Sequence, residues 1–370
     1  MTNWEDDDGY CSAAADYQDA RRVCAELDIP LHRVNFTREY RNQVFAHFLD
    51  EYRAGRTPNP DVLCNREIKF GVCLAHARRL GAERLATGHY ARVDGGPPLR
   101  RLRGVDSGKD QSYFLHAVAG DALRRAVFPL GGLHKAEVRA LATDAGLPVH
   151  AKRDSTGICF IGERPFREFL SRYLQGRHGP METPDGEIVG EHQGLMFYTP
   201  GQRQGLGIGG RVGAGDSAWY VADQDADRNA LIVVQGREHP LLWHDALSAE
   251  SPHWIHGEPE ALARGGKVRL SAQIRYRQAA AGCQLHLAGA GRLRTGGCEC
   301  PDKCDQHHRH ARLVRPGCAH ESPFTPRVNA PGISNVHATR RAPKSAAGLP
   351  RRPRSASVTP KRAIVVAARI

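Results

Sequence analysis

Arg84-Leu85-Ala86-Thr87-Gly88-His89-Tyr90 reads as a short strand followed by its exit loop. The apolar pair sits between a polar start and a Thr-Gly turn. The flanks decide what kind of sheet it joins. Upstream, a helix is expected from about Arg66 to Leu80, closed by Gly81. Another is marked by Val44, Phe45, Phe48, Leu49 and Tyr52, and stops near Gly55. Ala20, Val23, Cys24 and Leu27 fall at i, i+3, i+4 and i+7 of a third helix, which Pro30 ends. Leu31 to Phe36 alternates as a strand does, and Val138, Leu141, Ala142 and Ala145 mark a helix capped by Gly146. Alternating helix and strand predicts an α/β domain with a parallel sheet, whose ligands sit at the carboxyl ends of its strands. The chain enters through an acidic loop, Met1-Thr2-Asn3-Trp4-Glu5-Asp6-Asp7-Asp8, and passes straight to a helix, so the expected first strand is missing.

Beyond about residue 165 the helical pattern loosens and glycine rises. Ala218-Trp219-Tyr220-Val221, Leu231-Ile232-Val233-Val234 and Val268-Arg269-Leu270 then read as strands of a small β domain. After about 289, Arg, Pro, Ser and Ala dominate with no sustained period until a short apolar end. The division expected is an α/β domain at 1–164, a small central domain at 165–215, a partial β-barrel at 216–288 and a disordered basic tail at 289–370.

The length, 370 residues, fits two or three domains of about 100–200 residues each. The net charge of +12 belongs to the tail alone: residues 289–370 hold sixteen Lys/Arg against four Asp/Glu, which leaves residues 1–288 neutral. The basic balance therefore gives no nucleic-acid signal for the body. No run approaches the roughly 18 apolar residues of a membrane span. The acidic start matches neither a secretory signal nor a transit peptide, so the cytoplasm is expected, where ten cysteines mean free, catalytic or metal-bound thiols rather than disulfides.

Two cysteines stand in unusual settings. Pro58-Asn59-Pro60-Asp61-Val62-Leu63-Cys64-Asn65 is a proline-stiffened loop leading into a helix, which puts Cys64 at a helix N-terminus with Asn65 or Asp61 as a cap. The dipole and free N–H groups there favour a thiolate, against the alternative of a small core residue. Asp154-Ser155-Thr156-Gly157-Ile158-Cys159-Phe160-Ile161-Gly162-Glu163 places Cys159 in a glycine-bounded loop with an acid on each side. The two thiols are a candidate sulfur-transfer pair, expected to approach within disulfide reach in at least one state. Cys11, Cys24, Cys73 and Cys283 fall within element patterns and read as core. Lys109-Asp110-Gln111-Ser112-Tyr113-Phe114-Leu115 puts a cation, an acid and an amide before an aromatic strand, a grip for phosphate and base edges or else a solvated turn. His89 is a candidate ligand contact or a structural histidine.

Three patterns are rejected. Gly205-Leu206-Gly207-Ile208-Gly209-Gly210 fits G-x-G-x-x-G but lacks the strand and helix that give it meaning. Gly104-Val105-Asp106-Ser107 echoes a phosphate loop but reads as a hairpin turn. Cys298, Cys300, Cys304 and Cys318, with nearby His307, His308, His310 and His320, offer zinc-ligand types at a weak spacing, and no metal site is expected.

Residues 54–65, around Cys64, closely resemble the first cysteine motif of the bacterial tRNA-specific 2-thiouridylases, and residues 155–163, around Cys159, resemble the second. Asn3–Asp7, Ala86–Tyr90, Lys109–Leu115, Tyr198–Arg203 and Trp219–Val221 resemble further family blocks in the same order, over about residues 1–285. The resemblance implies an ATP-pyrophosphatase-type α/β fold, like that of adenine-nucleotide hydrolases. It also implies replacement of the C2 oxygen of the wobble uridine of certain tRNAs by sulfur. ATP, with Mg as counter-ion, activates that oxygen. Sulfur arrives as a persulfide on the residue matched by Cys159, and the residue matched by Cys64 acts as nucleophile or resolving thiol. By the same resemblance Asn59, Pro60 and Asp61 contact the target base, and His89, Lys109, Asp110, Gln111, Arg275 and Tyr276 contact tRNA. Met1 and Gly88 match ATP-contacting positions. The implied partners are tRNA and a persulfide-donating relay protein, with no membrane and a monomeric state.

The ends depart from the family pattern. Its members carry a strand and a Ser-Gly-Gly-x-Asp-Ser phosphate loop ahead of the Asn-Trp-Glu block, and this chain begins just past them. The last barrel strands, with a tRNA-touching Gln, are replaced by the basic tail. A tRNA sulfurtransferase is therefore weighed against a relic that binds tRNA weakly without using ATP, and against a thiol-redox or zinc protein built on the tail cysteines.

Overall fold

In the computed structural model, the described residues are 1–4, 13–152, 165–209, 217–243, 247–255, 257–273, 275–277, 280–287, 292–296 and 363–365. Cys11, Cys159 and the tail cysteines Cys298, Cys300, Cys304 and Cys318 lie outside them.

The first unit is helix-rich. Helix α1 (Ala13–Glu26) is followed by α2 (Thr37–Tyr40), which runs through a π-helical turn at Arg41–Phe45 into α3 (Ala46–Arg53). The expected strand at 31–36 reduces to a single parallel bridge between Thr2 and Asn35, with Thr2 N donating to Val34 O and Phe36 N to Thr2 O, both at 2.8 Å.

The next helix is longer than expected. α4 (Pro60–Leu63) continues through a π-helical stretch, Cys64–Cys73, into α5 (Leu74–Arg79). Pro60 at the first helical position needs no N–H partner, which suits it to start the helix. The wide turns put Cys64, Ile68 and Cys73, spaced by four and then five residues, in one apolar cluster with Trp4, Tyr40, Phe45, Phe48 and Phe169. Phe70 and Leu74 face a second cluster with Leu85, Leu115 and Leu123. π-turns are uncommon and concentrate at functional sites.

Strand β1 (Arg84–Ala86) follows, then the hairpin β2 (Ala91–Asp94) and β3 (Arg100–Arg103). A 3₁₀ turn (Ser112–Leu115) stands where an aromatic strand was expected. α6 (Gly120–Arg124), β4 (Ala126–Val127), α7 (Lys135–Asp144) and α8 (Phe166–Ser171) complete the unit. β1 pairs in parallel with β4, as an α/β sheet requires.

The β region is arranged differently from the sequence reading. β5 (Gly179–Glu182), β6 (Ile188–His192), β7 (Trp219–Asp225) and β8 (Ala230–Gln235) form one sheet in the order β6-β5-β8-β7. Its parallel β5–β8 pairing joins residues on both sides of the expected 215/216 boundary, around a core of Met181, Tyr198, Leu206, Val221, Leu231 and Val233. β9 (Leu247–Glu250), the helical turn α9 (Glu260–Ala263), β10 (Val268–Ala272), β11 (Ala281–Leu287) and β12 (Arg292–Gly296) follow, the strands forming an antiparallel sheet in the order β10-β11-β12-β9. β12 carries that sheet beyond the expected end at 288. The apolar segment near the C-terminus contributes β13 (Ala363–Val365), paired in parallel with β1 on the side away from β4.

Candidate active site around Cys64

Cys64 is 4% exposed and lies one turn inside the helix rather than at its N-terminus. Its own N–H donates to the carbonyls of Pro60 and Asp61, so the free N–H groups expected to stabilise a thiolate are not at this residue. The cap position falls to Asn59, not to Asn65 or Asp61, and Asn59 makes no capping side-chain bond. The amide of Asn3 points at Cys64 Sγ from 4.0 Å.

Four separate segments converge around this helix start. Asn65 Nδ2 donates to Phe114 O at 3.0 Å. The Phe114 ring packs on Tyr276, with centroids 4.5 Å apart, and Tyr113 stands 6.2 Å from Tyr276. Beside Tyr276, Arg275 Nη2 donates to Pro200 O at 2.9 Å. Thr199 Oγ1 and Thr57 Oγ1 are hydrogen-bonded at 2.8 Å, which leads back to the loop before Asn59. The contacts therefore close a ring: Thr57, Thr199, Pro200, Arg275, Tyr276, Phe114, Asn65 and the helix start. The Thr199–Gln202 segment is a tight turn, with Gln202 N on Thr199 O at 2.9 Å. Gly201 has φ +84° there, which a type II turn requires at its third position.

Apart from Cys159, which lies outside the described residues, each expected site residue has a definite place. Asn59 is half-buried and Pro60 buried beside Cys64. Burial pushes the Asp61 carboxyl above its ordinary value, and Lys69 pulls it part of the way back. Tyr276 is half-buried and Arg275 exposed on the rim, where Arg277 stacks over Tyr276 at 5.3 Å from the ring centroid. Burial also raises the Tyr113 phenol, against the opposing pull of Arg275.

The Lys109–Gln111 segment is used internally more than the sequence suggests. Asp110 Oδ1 accepts from Gly104 N at 3.0 Å and Ser112 N at 3.1 Å, and Oδ2 from Ser112 Oγ at 3.0 Å. Gln111 Oε1 accepts from Tyr90 N at 3.1 Å. These two residues shape the turn that presents Tyr113 and Phe114, while Lys109 is half-buried next to them. His89 is 3% exposed, bonds Thr87 Oγ1 through Nδ1 at 2.8 Å and packs against Phe70 and Phe128. Burial, then Lys69, holds its pKa well below the usual value, so the ring is a neutral interior group in this conformation.

Met1 and Gly88 are the remaining expected positions. Met1 packs on the first apolar cluster, and Gly88 is half-buried in the exit from β1. Helix α7 follows a strand of the sheet through Gly131, whose missing Cβ would overlap the Ala91 carbonyl. Its N-terminus is already occupied: Asp106 Oδ2 accepts from Lys135 N at 2.9 Å and Glu137 Oε2 from His134 N at 2.6 Å. The Gly104–Ser107 segment is thus a turn that caps α7.

Sequence reasoning missed Phe114, Tyr113, Thr57 and Thr199 as parts of the ring. Their one local signal was the aromatic pair directly after Lys109–Ser112.

The chain joins an α/β unit that bears the cysteine helix to a following β unit whose Tyr276 is tied to that helix through Phe114 and Asn65. Residues 1–163 match the tRNA methyl transferase HUP domain, and residues 167–235 the tRNA methyl transferase PRC-barrel domain. The chain is 54% identical over 296 residues to the tRNA-specific 2-thiouridylase MnmA of Methylococcus capsulatus, covering 79% of each chain. It is 55% identical over 296 residues to that of Chromohalobacter salexigens, covering 79% of this chain and 76% of the relative. The corresponding protein of Alkalilimnicola ehrlichii is 56% identical over 288 residues, covering 77% of this chain and 78% of the relative. The chain belongs to the family of bacterial tRNA-specific 2-thiouridylases. Among its described helices none is long and apolar enough to cross a membrane.

Proposed function

We propose that this chain transfers sulfur to C2 of a uridine in tRNA, with Cys64 and Cys159 as its two thiols. The observation that carries the reading is the ring around Cys64. A buried thiol follows Asn59–Asp61 on one helix start, and its neighbour Asn65 ties that start to a rim of aromatic rings and guanidinium groups. Such a rim suits an unstacked RNA base, which is held by stacking and by hydrogen bonds to its edges. Arg275, Tyr276 and Lys109 would contact the RNA directly. Asp110, Gln111 and His89 would act through the turn and strand exit that they brace. Sulfur delivered as a persulfide on Cys159, by a relay protein, would leave as hydrosulfide when Cys64 attacks the carrier's inner sulfur, and the hydrosulfide would add to C2 of the uridine, whose oxygen, adenylated by ATP, would depart with AMP. One turnover then leaves Cys64 and Cys159 joined as a disulfide, which an external thiol must reduce.

ATP with Mg is the activating substrate that the family resemblance implies. A second reading is tRNA binding without use of ATP. Two measurements separate them. Calorimetry of the full chain with ATP and magnesium should give at most millimolar affinity under the second reading. A micromolar constant together with thiolated tRNA product would establish the first. Within that first reading, Cys159→Ser and Cys64→Ser should each abolish thiolation and leave tRNA binding within a few fold. Retained thiolation in either variant would remove that cysteine from the mechanism.

A further inference from the structure

At the amino end of β1, away from the Thr87–His89 exit, lies an open cleft of about 660 Å³. It is lined by Arg78, Glu83, Arg84, Asp121, Arg124 and Arg125, four guanidinium groups against two carboxylates. Arg78 lies in the last turn of α5, Arg84 opens β1, Arg124 ends α6 and Arg125 follows it, so three elements bring cations to one space. Arg84, Arg124 and Arg125 are exposed, and so is Arg78. No described hydrogen bond or ion pair engages any of the four guanidinium groups.

The helix ends explain part of this arrangement. A cation is favoured near a helix C-terminus, which suits Arg78 and Arg124. That account does not reach Arg84, which belongs to a strand. Nor does it explain why four like charges share one concavity when each could point separately into solvent. Converging cations repel unless an anion sits between them. The fork of guanidinium donors matches phosphate oxygens two at a time. The volume lies within the range of about 300–1,000 Å³ usual for small-ligand sites.

We propose that this cleft is a phosphate-binding site, separate from the Cys64 ring, that takes ligands carrying two or more phosphate groups. The phosphates belong either to the backbone of a bound RNA or to a free polyphosphate or nucleotide. The site does not depend on the sulfur-transfer reading.

The test uses the full-length chain at low salt. Titration with sodium tripolyphosphate should show saturable binding. Arg84→Gln combined with Arg124→Gln should weaken it at least tenfold without moving the thermal midpoint. Arg78→Gln combined with Arg125→Gln should do the same and covers the case in which the first pair fails to fold. Parallel measurement of tRNA affinity against salt separates the sources. For an RNA backbone, the Gln pair flattens the slope of log K against log salt by nearly 2. For a free polyphosphate, the slope is unchanged while tripolyphosphate binding is lost. If both Gln pairs bind tripolyphosphate as the parent chain does and share its tRNA salt slope, the proposal is overturned.

Discussion

Asn65 and Phe114, 49 residues apart, are tied by a hydrogen bond from Asn65 Nδ2 to the Phe114 carbonyl at 3.0 Å. The bond fixes the aromatic turn to the helix that carries Cys64. Asn65 is 2% exposed, so water does not compete for the contact. Its Oδ1 is buried without a hydrogen-bond partner among the described residues. The amide is therefore held by a single bond, and the turn's position depends on it.

Asn65→Ala should leave a buried carbonyl unpaired, at a cost of about 1–3 kcal/mol. Asn65→Asp should cost more at neutral pH, because an acceptor would then face an acceptor. Denaturant unfolding of the three proteins checks the order. The same variants should weaken tRNA binding, since Phe114 supports Tyr276. Equal stability of Asn65→Ala and Asn65→Asp would show that the bond does not hold the turn.

The Thr57–Thr199 bond is the link from the cysteine loop to the β unit, and it lies near the surface. Thr57→Val, Thr199→Val and the double variant form a cycle whose coupling should be at most about 1 kcal/mol in stability. Its effect on tRNA affinity should exceed that on stability, because the bond sets the relative position of two walls of the ring. A cycle with no coupling in either readout would mean that the two walls are positioned independently.

His116 is 1% exposed, with Nδ1 2.7 Å from Tyr113 O, and burial lowers its pKa from 6.5 to about 4. The unfolded chain therefore binds a proton at this residue before the folded chain does. The contribution is fully present above pH 6.5 and is lost as pH falls toward 4. The loss is about 2 kcal/mol by pH 5 and about 3 kcal/mol at the acid end. His89, also lowered by burial, acts in the same direction. His116→Asn keeps a donor for the Tyr113 carbonyl and cannot titrate. Stability measured from pH 7 to 5 should fall less steeply in that variant than in the parent chain; parallel curves would contradict the burial of a neutral ring.

The elements that position Cys64 were largely legible, and their meeting was not. The helix expected from Arg66 to Leu80 is there, begun earlier by Pro60, because its apolar spacing and Gly81 are local signals. Gly81 has φ +89°, the conformation that makes it a helix stop. β1 and α7 were readable for the same reason. The ring joins Thr57 to Thr199 and Phe114 to Tyr276, pairs separated by more than a hundred residues, and no periodicity reports such contacts. The β5–β8 pairing was hidden likewise, since parallel neighbours need a long crossover and a glycine-rich stretch lies between them. Between a ligand grip and a turn, the sequence left the Lys109–Gln111 segment open. Asp110 and Gln111 had nearby backbone partners, Gly104, Ser112 and Tyr90, and short-range bonds of this kind compete with ligand contact.

Asp61 separates stability from function most cleanly. Its carboxyl is pushed above the ordinary value of 3.8 by burial, so the ionised form is disfavoured in the folded chain. Lys69 compensates only in part. A carboxylate kept in such a place costs stability at neutral pH, and a role in binding the target base would account for its retention. Asp61→Asn removes the desolvation cost and keeps the shape. The variant should be at least as stable as the parent chain at pH 7. Its advantage should shrink as pH falls toward the carboxylate range, because the parent's Asp61 then becomes neutral as well. Binding of tRNA and formation of thiolated product should fall at the same time. Unfolding curves at pH 7 and pH 5, beside product analysis, test both halves. A less stable Asp61→Asn with unchanged tRNA binding would place Asp61 among the groups that hold the fold and remove it from the site.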